Sequence, residues 1–114
     1  MSLYILEGLK PWVIQRVSAV YIALFLFYSL YCGMNVEIVS YTHWRGWLFH
    51  PFNSIAFGIF VVAVLFHAWI GMRDVILDYV HDIMLRLFFL ALVMGVLVGS
   101  GLWVIRILLF SMVE

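Results

Sequence analysis

The chain has 114 residues, of which 68% are hydrophobic and 11% are charged, whereas soluble domains are roughly half apolar and about a quarter charged. Six Lys and Arg residues balance six Asp and Glu residues, so no basic excess favours nucleic acid and no acidic tail favours disorder. The composition leaves almost nothing for a soluble catalytic domain, and it favours lipid, lipid-soluble molecules and other membrane proteins as partners.

Charged residues bound three long uncharged segments. These segments contain 20, 27 and 19 residues and lie between the following pairs: Arg16 and Glu37, Arg45 and Arg73, Arg86 and Arg106. An α-helix needs roughly 20 residues to cross about 30 Å of hydrocarbon, and a charge at the bilayer centre costs at least about 2.5 kcal/mol. The sequence therefore predicts an all-α membrane protein of one domain, 1–114, with transmembrane helices at about 14–34, 52–75 and 83–110.

The first predicted helix carries a basic residue near its membrane boundary. Pro11 precedes the helix, where a missing N–H costs nothing. The apolar run is followed by no A-x-A cleavage pattern, so we expect it to stay in the mature protein. Arg16 either extends to lipid headgroups or binds an anionic group such as a haem propionate through paired hydrogen bonds. Cys32 is the one cysteine of the sequence, which excludes a disulfide within the chain.

His67 lies inside the second predicted helix, with apolar residues on both sides. An ionisable residue at that depth is a functional candidate, and neutral imidazole is a good ligand for haem iron. Gly71, one turn away on the same face, would let a flat macrocycle lie close to the helix. The alternative is a histidine that is hydrogen-bonded to a neighbouring helix, and the spacing leaves both open.

The other histidines of the chain are poorly placed to share an iron with His67. His50 is 17 residues away, or about 25 Å along a helix. His43 belongs to the predicted outer loop, and His81 lies in or near the inner turn. If a haem takes two axial histidines here, the second must come from a partner subunit or a symmetry mate.

The turn after the second helix concentrates polar side chains at the membrane surface. The Tyr79 hydroxyl can donate a hydrogen bond to a quinone carbonyl oxygen, and Asp78 can orient it or pass protons. Alternatively, Tyr79 is only an interfacial anchor, and Asp78 or Asp82 caps the third helix. Asp82 and Arg86, four residues apart, also suit an ion pair on the helix surface.

The third predicted helix carries Gly95 and Gly99 as a G-x-x-x-G pair, which indicates close packing against another helix. Three short helices enclose little interior, so inward-facing polar residues would lack partners in a monomer. We therefore expect a larger assembly.

Lys and Arg residues predict the orientation, because positive flanks are retained on the cytoplasmic side. Four of them share the side of the N-terminus and two lie on the other side: Lys10, Arg16, Arg73 and Arg86 against Arg45 and Arg106. The sequence predicts a cytoplasmic N-terminus and a periplasmic C-terminus.

Three short motifs carry a family resemblance. They are H-A-W-I-G-M at 67–72, D-Y-V at 78–80 and L-R-L at 85–87, supported by R-V-S-A at 16–19 near the first span. With three spans and this length, the chain resembles the small hydrophobic membrane anchor subunit of bacterial succinate:quinone oxidoreductase, a b-type cytochrome family. The match is firm over about 63–87 and rests on hydropathy elsewhere.

The resemblance implies residue roles and a complex. His67 would be one axial ligand of a haem b, and the other would come from the companion membrane anchor, a cytochrome b subunit. Tyr79, with Asp78 beside it, would border the ubiquinone site, and Arg16 would bind a haem propionate. The chain would attach the iron–sulfur and flavoprotein subunits of succinate dehydrogenase to the bacterial inner membrane.

Succinate oxidation itself is not expected of this chain, because the sequence has no flavin-binding Gly-rich motif and no cysteine cluster. The nearest rival interpretation is the anchor of a related quinol:fumarate reductase, which runs the same chemistry in the opposite direction. A rival of another class is a transport or channel subunit in which His67 relays protons. A third is a structural anchor without haem.

Overall fold

The computed structural model describes the backbone of residues 3–36 and 40–113 and the side chains of residues 7–36 and 40–110. The described residues form four helices: α1 (Leu3–Met34), α2 (Tyr41–Leu48), α3 (Pro51–Tyr79) and α4 (Ile83–Val113). Three helices in this part of the chain are long and apolar enough to cross a membrane, over Glu7–Met34, Pro51–Tyr79 and Ile83–Phe110. The predicted all-α fold with three membrane spans is confirmed.

The first helix begins earlier than predicted. α1 starts at Leu3, so Pro11 lies inside the helix, and its expected position ahead of the first span is wrong. The expectation took Arg16 as the charged boundary of the first uncharged segment and let the helix begin at about residue 14. A helix can extend beyond the hydrocarbon, because water satisfies its outer backbone groups. Pro11 removes one backbone donor within α1.

The predicted outer loop contains the short helix α2. Ser40 caps its N-terminus, and the Ser40 hydroxyl accepts a hydrogen bond from the His43 backbone N–H at 3.2 Å. Serine is a preferred residue at this position because it satisfies one of the free N–H groups of the first turn. At the other end, the Phe49 N–H donates to the Arg45 carbonyl at 3.0 Å, and Pro51 begins α3, where its missing N–H has no cost.

The chain divides into two compact units, Met1–Val64 and Leu65–Glu114, with the boundary inside α3. Whether residues 1–114 act as one domain stays a prediction. In the first unit, Phe25 of α1 is 8% exposed and stacks on Phe60 of α3, with ring centres 4.6 Å apart. One turn before Phe25, the Tyr21 hydroxyl donates to the Ala56 carbonyl at 2.6 Å. This pair of contacts fixes α1 against the first half of α3.

A polar network joins the three helices of the first unit near the end of α1. The Tyr28 hydroxyl donates to Asn53 Oδ1 at 2.6 Å, and Asn53 Nδ2 donates to the Trp47 carbonyl at 2.9 Å. Asn53 is buried, so both of its polar atoms need these partners. The Tyr28 and Trp47 rings also lie 6.0 Å apart, so α2 is held by both polar and aromatic contacts.

In the second unit, α4 approaches the second half of α3 at a glycine. A Cβ atom added at Gly101 would lie 3.1 Å from Leu65 Cδ1, whereas one added at Gly95 or Gly99 would meet nothing within 4 Å. The close packing that was predicted for the Gly95 and Gly99 pair is thus not made by the described residues of this chain. Within α4, Gly101 is the glycine next to another helix of the same unit.

Most of the apolar surface remains uncovered. In the most hydrophobic window of each candidate span, 11% of residues or fewer are buried. Burial of apolar surface is the main driving force for folding in water, so helices of this kind need another apolar environment. Lipid chains and helices of other subunits can supply it.

Candidate functional site

His67 lies well inside α3, 12 residues before its last residue, Tyr79. This separation corresponds to about 18 Å along the helix axis. The imidazole is half-buried, and the neighbouring Ile70 is buried at 6% exposure. The polar ring therefore lies in an apolar environment and still reaches the surface of the chain.

Small and acidic residues follow His67 along the same face of α3. Residues four, seven and eleven positions further lie within about 40° of it on a helix, and these are Gly71, Asp74 and Asp78. Asp74 and Asp78 are exposed. Along this face of α3, the imidazole of His67 is thus followed by the carboxylates of Asp74 and Asp78 as the helix approaches the α3–α4 turn.

Asp78 and Tyr79 form the end of α3. Both are exposed, and 79% of Tyr79 is accessible. The helix closes with the Val80 N–H donating to the Ile76 carbonyl at 2.9 Å. The structure therefore presents an exposed carboxylate and an exposed phenol at successive positions, where α3 ends and the chain turns toward α4.

Arg86 fixes this turn. Its Nη2 donates to the Leu77 carbonyl at 2.9 Å, and its Nε donates to the Val80 carbonyl. The last carbonyls of a helix lack partners within the helix and carry partial negative charge, so a guanidinium is well suited to them. Sequence reasoning missed this role, although an arginine shortly after a helix end is a recognisable signal.

The predicted ion pair between Asp82 and Arg86 is replaced by two capping contacts. Asp82 Oδ1 accepts from the backbone N–H groups of Met84 at 2.8 Å and Leu85 at 3.2 Å, so Asp82 caps α4 as the alternative interpretation expected. A carboxylate near a helix N-terminus is favourable in the helix dipole. The i, i+4 ion pair does not form because Asp82 precedes the first turn of α4.

Arg73 is a second functional candidate that the sequence interpretation did not single out. Its Nη2 lies 3.3 Å from Asp74 Oδ1, and the two side chains are 35% and 57% exposed. Its Nε is buried and has no hydrogen-bond partner among the described residues. A buried N–H group without an acceptor destabilises the folded protein. An anion that accepts a hydrogen bond from Arg73 Nε would remove this cost.

Arg16 lies in the Met1–Val64 unit, whereas His67, Asp78 and Tyr79 lie in the Leu65–Glu114 unit. The Arg16 guanidinium is 5.4 Å from the centre of the Trp12 ring, and the side chain is exposed.

Two residues after Arg16, the buried Ser18 donates a hydrogen bond to the Gln15 carbonyl at 3.1 Å. Gln15 Oε1 is buried and lacks a hydrogen-bond partner in the described part of the chain, so this turn of α1 also holds a polar atom that can accept a hydrogen bond.

Comparison with known proteins decides the family. The succinate dehydrogenase/fumarate reductase transmembrane subunit family matches residues 5–102. The chain belongs to this family. It is 31% identical over 102 residues to the succinate dehydrogenase hydrophobic membrane anchor subunit of Coxiella burnetii, covering 90% of this chain and 89% of that one. The anchor subunit of Rickettsia conorii is 39% identical over 83 residues, which are 70% of this chain and 64% of the relative.

The family membership confirms the predicted class of protein. The relatives are membrane anchor subunits, which are non-catalytic parts of succinate dehydrogenase, and the three candidate spans agree with a multi-pass membrane protein. The match covers α2, α3 and most of α1 and α4. The similarity therefore extends well beyond the short segment on which the resemblance was first based.

Proposed function

We propose that the chain anchors the flavoprotein and iron–sulfur subunits of succinate dehydrogenase to the bacterial inner membrane. It binds one haem b together with a companion anchor, a cytochrome b subunit, and it forms part of the site where ubiquinone is reduced. The N-terminus lies in the cytoplasm and the C-terminus in the periplasm. The observation that supports this best is the half-buried His67 within an apolar span of a chain of this family.

The described residues fit a haem in two respects. His67 provides a half-buried imidazole, which is a suitable axial ligand as a neutral ring. Arg73 provides a buried Nε–H without a hydrogen-bond partner in the described chain, and exposed Arg16 provides a second guanidinium, so either can bind a propionate. When bound, a haem would supply a one-electron redox centre.

Asp78 and Tyr79 supply the groups that quinone reduction needs from this chain. Reduction of a quinone to a quinol adds two electrons, which the iron–sulfur subunit supplies, and two protons, which come from the aqueous side. The Tyr79 hydroxyl donates a hydrogen bond to one quinone carbonyl oxygen and so stabilises the negative charge that develops there. The Asp78 carboxylate orients the phenol and relays a proton to it.

The haem assignment is tested by a reduced-minus-oxidised visible spectrum of the complex purified in mild detergent. His67→Ala should remove or shift the b-type bands, because the iron loses an axial ligand. His50→Ala is the matched control, since His50 is exposed between α2 and α3, and its spectrum should equal that of the unmodified complex. Unchanged bands in His67→Ala would return His67 to a structural role or to proton relay in a transport subunit.

The quinone assignment is tested by Tyr79→Phe. We expect succinate–quinone reductase activity to fall by about a hundredfold, the lower end of the about 10²–10⁴-fold that one positioned proton-transfer group contributes, while the haem spectrum and subunit composition stay the same. Tyr41→Phe, another exposed tyrosine, should leave the activity intact. Equal quinone kinetics for the two variants would remove Tyr79 from the site.

The family name also covers fumarate reductases, so the direction of the reaction needs its own assay. The purified complex should reduce ubiquinone with succinate faster than it oxidises a quinol with fumarate. The reverse ranking would assign the chain to a quinol:fumarate reductase, without changing the roles proposed for His67 and Tyr79.

A further inference from the structure

A pocket lies in the Met1–Val64 unit between the end of α1 and α2. Its volume is about 180 Å³. α1 contributes Ser29, Cys32 and Gly33, which are spaced at helical intervals on one face, and Val36 lines the wall just after the end of α1. From Arg16 to Cys32 is about 24 Å along α1, so the pocket lies at the end of α1 remote from Arg16 and its proposed haem propionate.

The residues on both sides of the pocket are held in place. Trp47 of α2 is fixed through its carbonyl by Asn53 Nδ2 at 2.9 Å and by its ring contact with Phe25, with centres 6.5 Å apart. Gly33 leaves open space, because a Cβ added there would meet nothing within 4 Å. The pocket therefore forms because small residues of α1 face the indole ring of Trp47, which these contacts hold in place.

Two polar atoms of the lining residues are buried without a hydrogen-bond partner in the described part of the chain. They are Ser29 Oγ and Trp47 Nε1. An indole N–H can only donate, and a serine hydroxyl can donate as well as accept. A molecule that satisfies both must bring acceptor oxygen. Apart from His43, the remaining lining residues are largely apolar, so this oxygen is best supplied by a lipophilic molecule.

The position along α1 identifies the kind of molecule. The candidate span of α1 ends at Met34, and pocket residues lie on both sides of that end, between Ser29 and Trp47. Tryptophan side chains such as Trp44 and Trp47 are typical of the headgroup level of a membrane. At this level the abundant oxygen acceptors joined to apolar chains are the acyl esters of phospholipids.

We propose that this pocket binds the acyl-ester region of a phospholipid. The ester carbonyl accepts from Trp47 Nε1 and Ser29 Oγ after a small adjustment of these side chains, and the first carbons of the acyl chain lie against Cys32 and Val36. A quinone ring has the same kind of acceptor oxygen, so the two sources are separated by experiment.

The test uses the whole complex in nanodiscs that contain a phosphatidylglycerol with a photoreactive diazirine near the ester end of one acyl chain. After irradiation, labelled peptides that contain residues 29–47 are quantified by mass spectrometry. Gly33→Phe fills the pocket and should lower labelling at least tenfold. Trp47→Phe removes one hydrogen bond and keeps an aromatic ring, and it should lower labelling about threefold to tenfold.

Gly58→Phe is the matched control, because a Cβ at Gly58 also meets open space and Gly58 does not line the pocket; its labelling should equal that of the unmodified complex. Equal labelling of Gly33→Phe and Gly58→Phe would overturn the proposal.

A parallel sample uses a photoreactive azidoquinone. Labelling of 29–47 by the azidoquinone and not by the phospholipid would assign the pocket to a quinone. Absence of labelling with either probe would also overturn the lipid site.

Discussion

In the Met1–Val64 unit, hydrogen bonds of Tyr21, Tyr28 and Asn53 connect separate helices, whereas at the α3–α4 turn Asp82 and Arg86 bond to nearby backbone. The first kind of bond fixes the register between helices that are far apart in sequence. The second kind fixes a local change of chain direction. The part of α1 around Phe25 and Tyr28 therefore depends on packing between helices, while the position of Tyr79 depends on helix capping.

Among the substitutions considered, Asn53→Ala should lower the unfolding free energy most. The substitution leaves the Tyr28 hydroxyl and the Trp47 carbonyl without their partner, and an unsatisfied buried group costs about 1–3 kcal/mol. We expect the complex to lose about 2 kcal/mol of unfolding free energy, measured by denaturant unfolding in detergent. Asn35→Ala is the control, because Asn35 is exposed and its side chain donates to the Tyr31 carbonyl four residues earlier; its change should stay within about 0.5 kcal/mol. Equal losses would mean that the network does not hold α2.

A smaller and more local effect is expected for Arg86→Leu. Loss of the two bonds to the end of α3 should raise amide hydrogen exchange around residues 78–82 about fivefold, equivalent to about 1 kcal/mol of local stability. Quinone reductase activity should fall with it, while the haem spectrum stays constant. Arg106→Leu, at the other end of α4, removes a guanidinium that lies over Phe110 and should leave exchange at the turn unchanged. Unaltered exchange in Arg86→Leu would show that the turn is held without this side chain.

The smallest changes in stability are expected for two glycine substitutions on different faces of α4. Gly101→Ala places a Cβ at 3.1 Å from Leu65 Cδ1, so the flexible end of Leu65 must move by a few tenths of an ångström. We expect a loss of about 0.5 kcal/mol, whereas Gly99→Ala, with open space around it, should gain a similar amount from helix propensity. Thermal unfolding of the two variants measures the difference. The opposite ranking would mean that the complex packs a helix against the Gly99 face.

Much of the fold follows from the sequence because charge and length determine which segments can cross a membrane. The predicted spans agree with the structure at Met34 and at Ile83. Charge and length do not locate helix ends outside the hydrocarbon, and this is why the start of α1 and the end of α3 at Tyr79 extend beyond prediction. α2 was missed since its eight residues are too short for a span, although Ser40 followed by apolar residues at helical spacing is a signal.

Prediction from the sequence was limited for the candidate site as well. The sequence singles out His67 because an ionisable residue inside an apolar span is a functional candidate, and Tyr79 because a phenol next to a carboxylate can donate a hydrogen bond and pass protons; both roles stay predictions. The choice between an ion pair and a helix cap for Asp82 could not be made, because spacing alone does not show whether a carboxylate lies inside a helix or caps it. The buried Nε of Arg73 was also beyond sequence reasoning, since burial of one atom depends on how the whole side chain packs.

The short connection between α3 and α4 has a consequence for biosynthesis. Val80, His81 and Asp82 are the residues between the two helices, and three residues in extended form reach only about 10 Å. This is much less than the roughly 30 Å of the hydrocarbon layer, so α4 cannot wait on the far side of the membrane from the end of α3. During insertion, α4 therefore has to begin at the membrane face where α3 ends, and the turn after Tyr79 stays at that face.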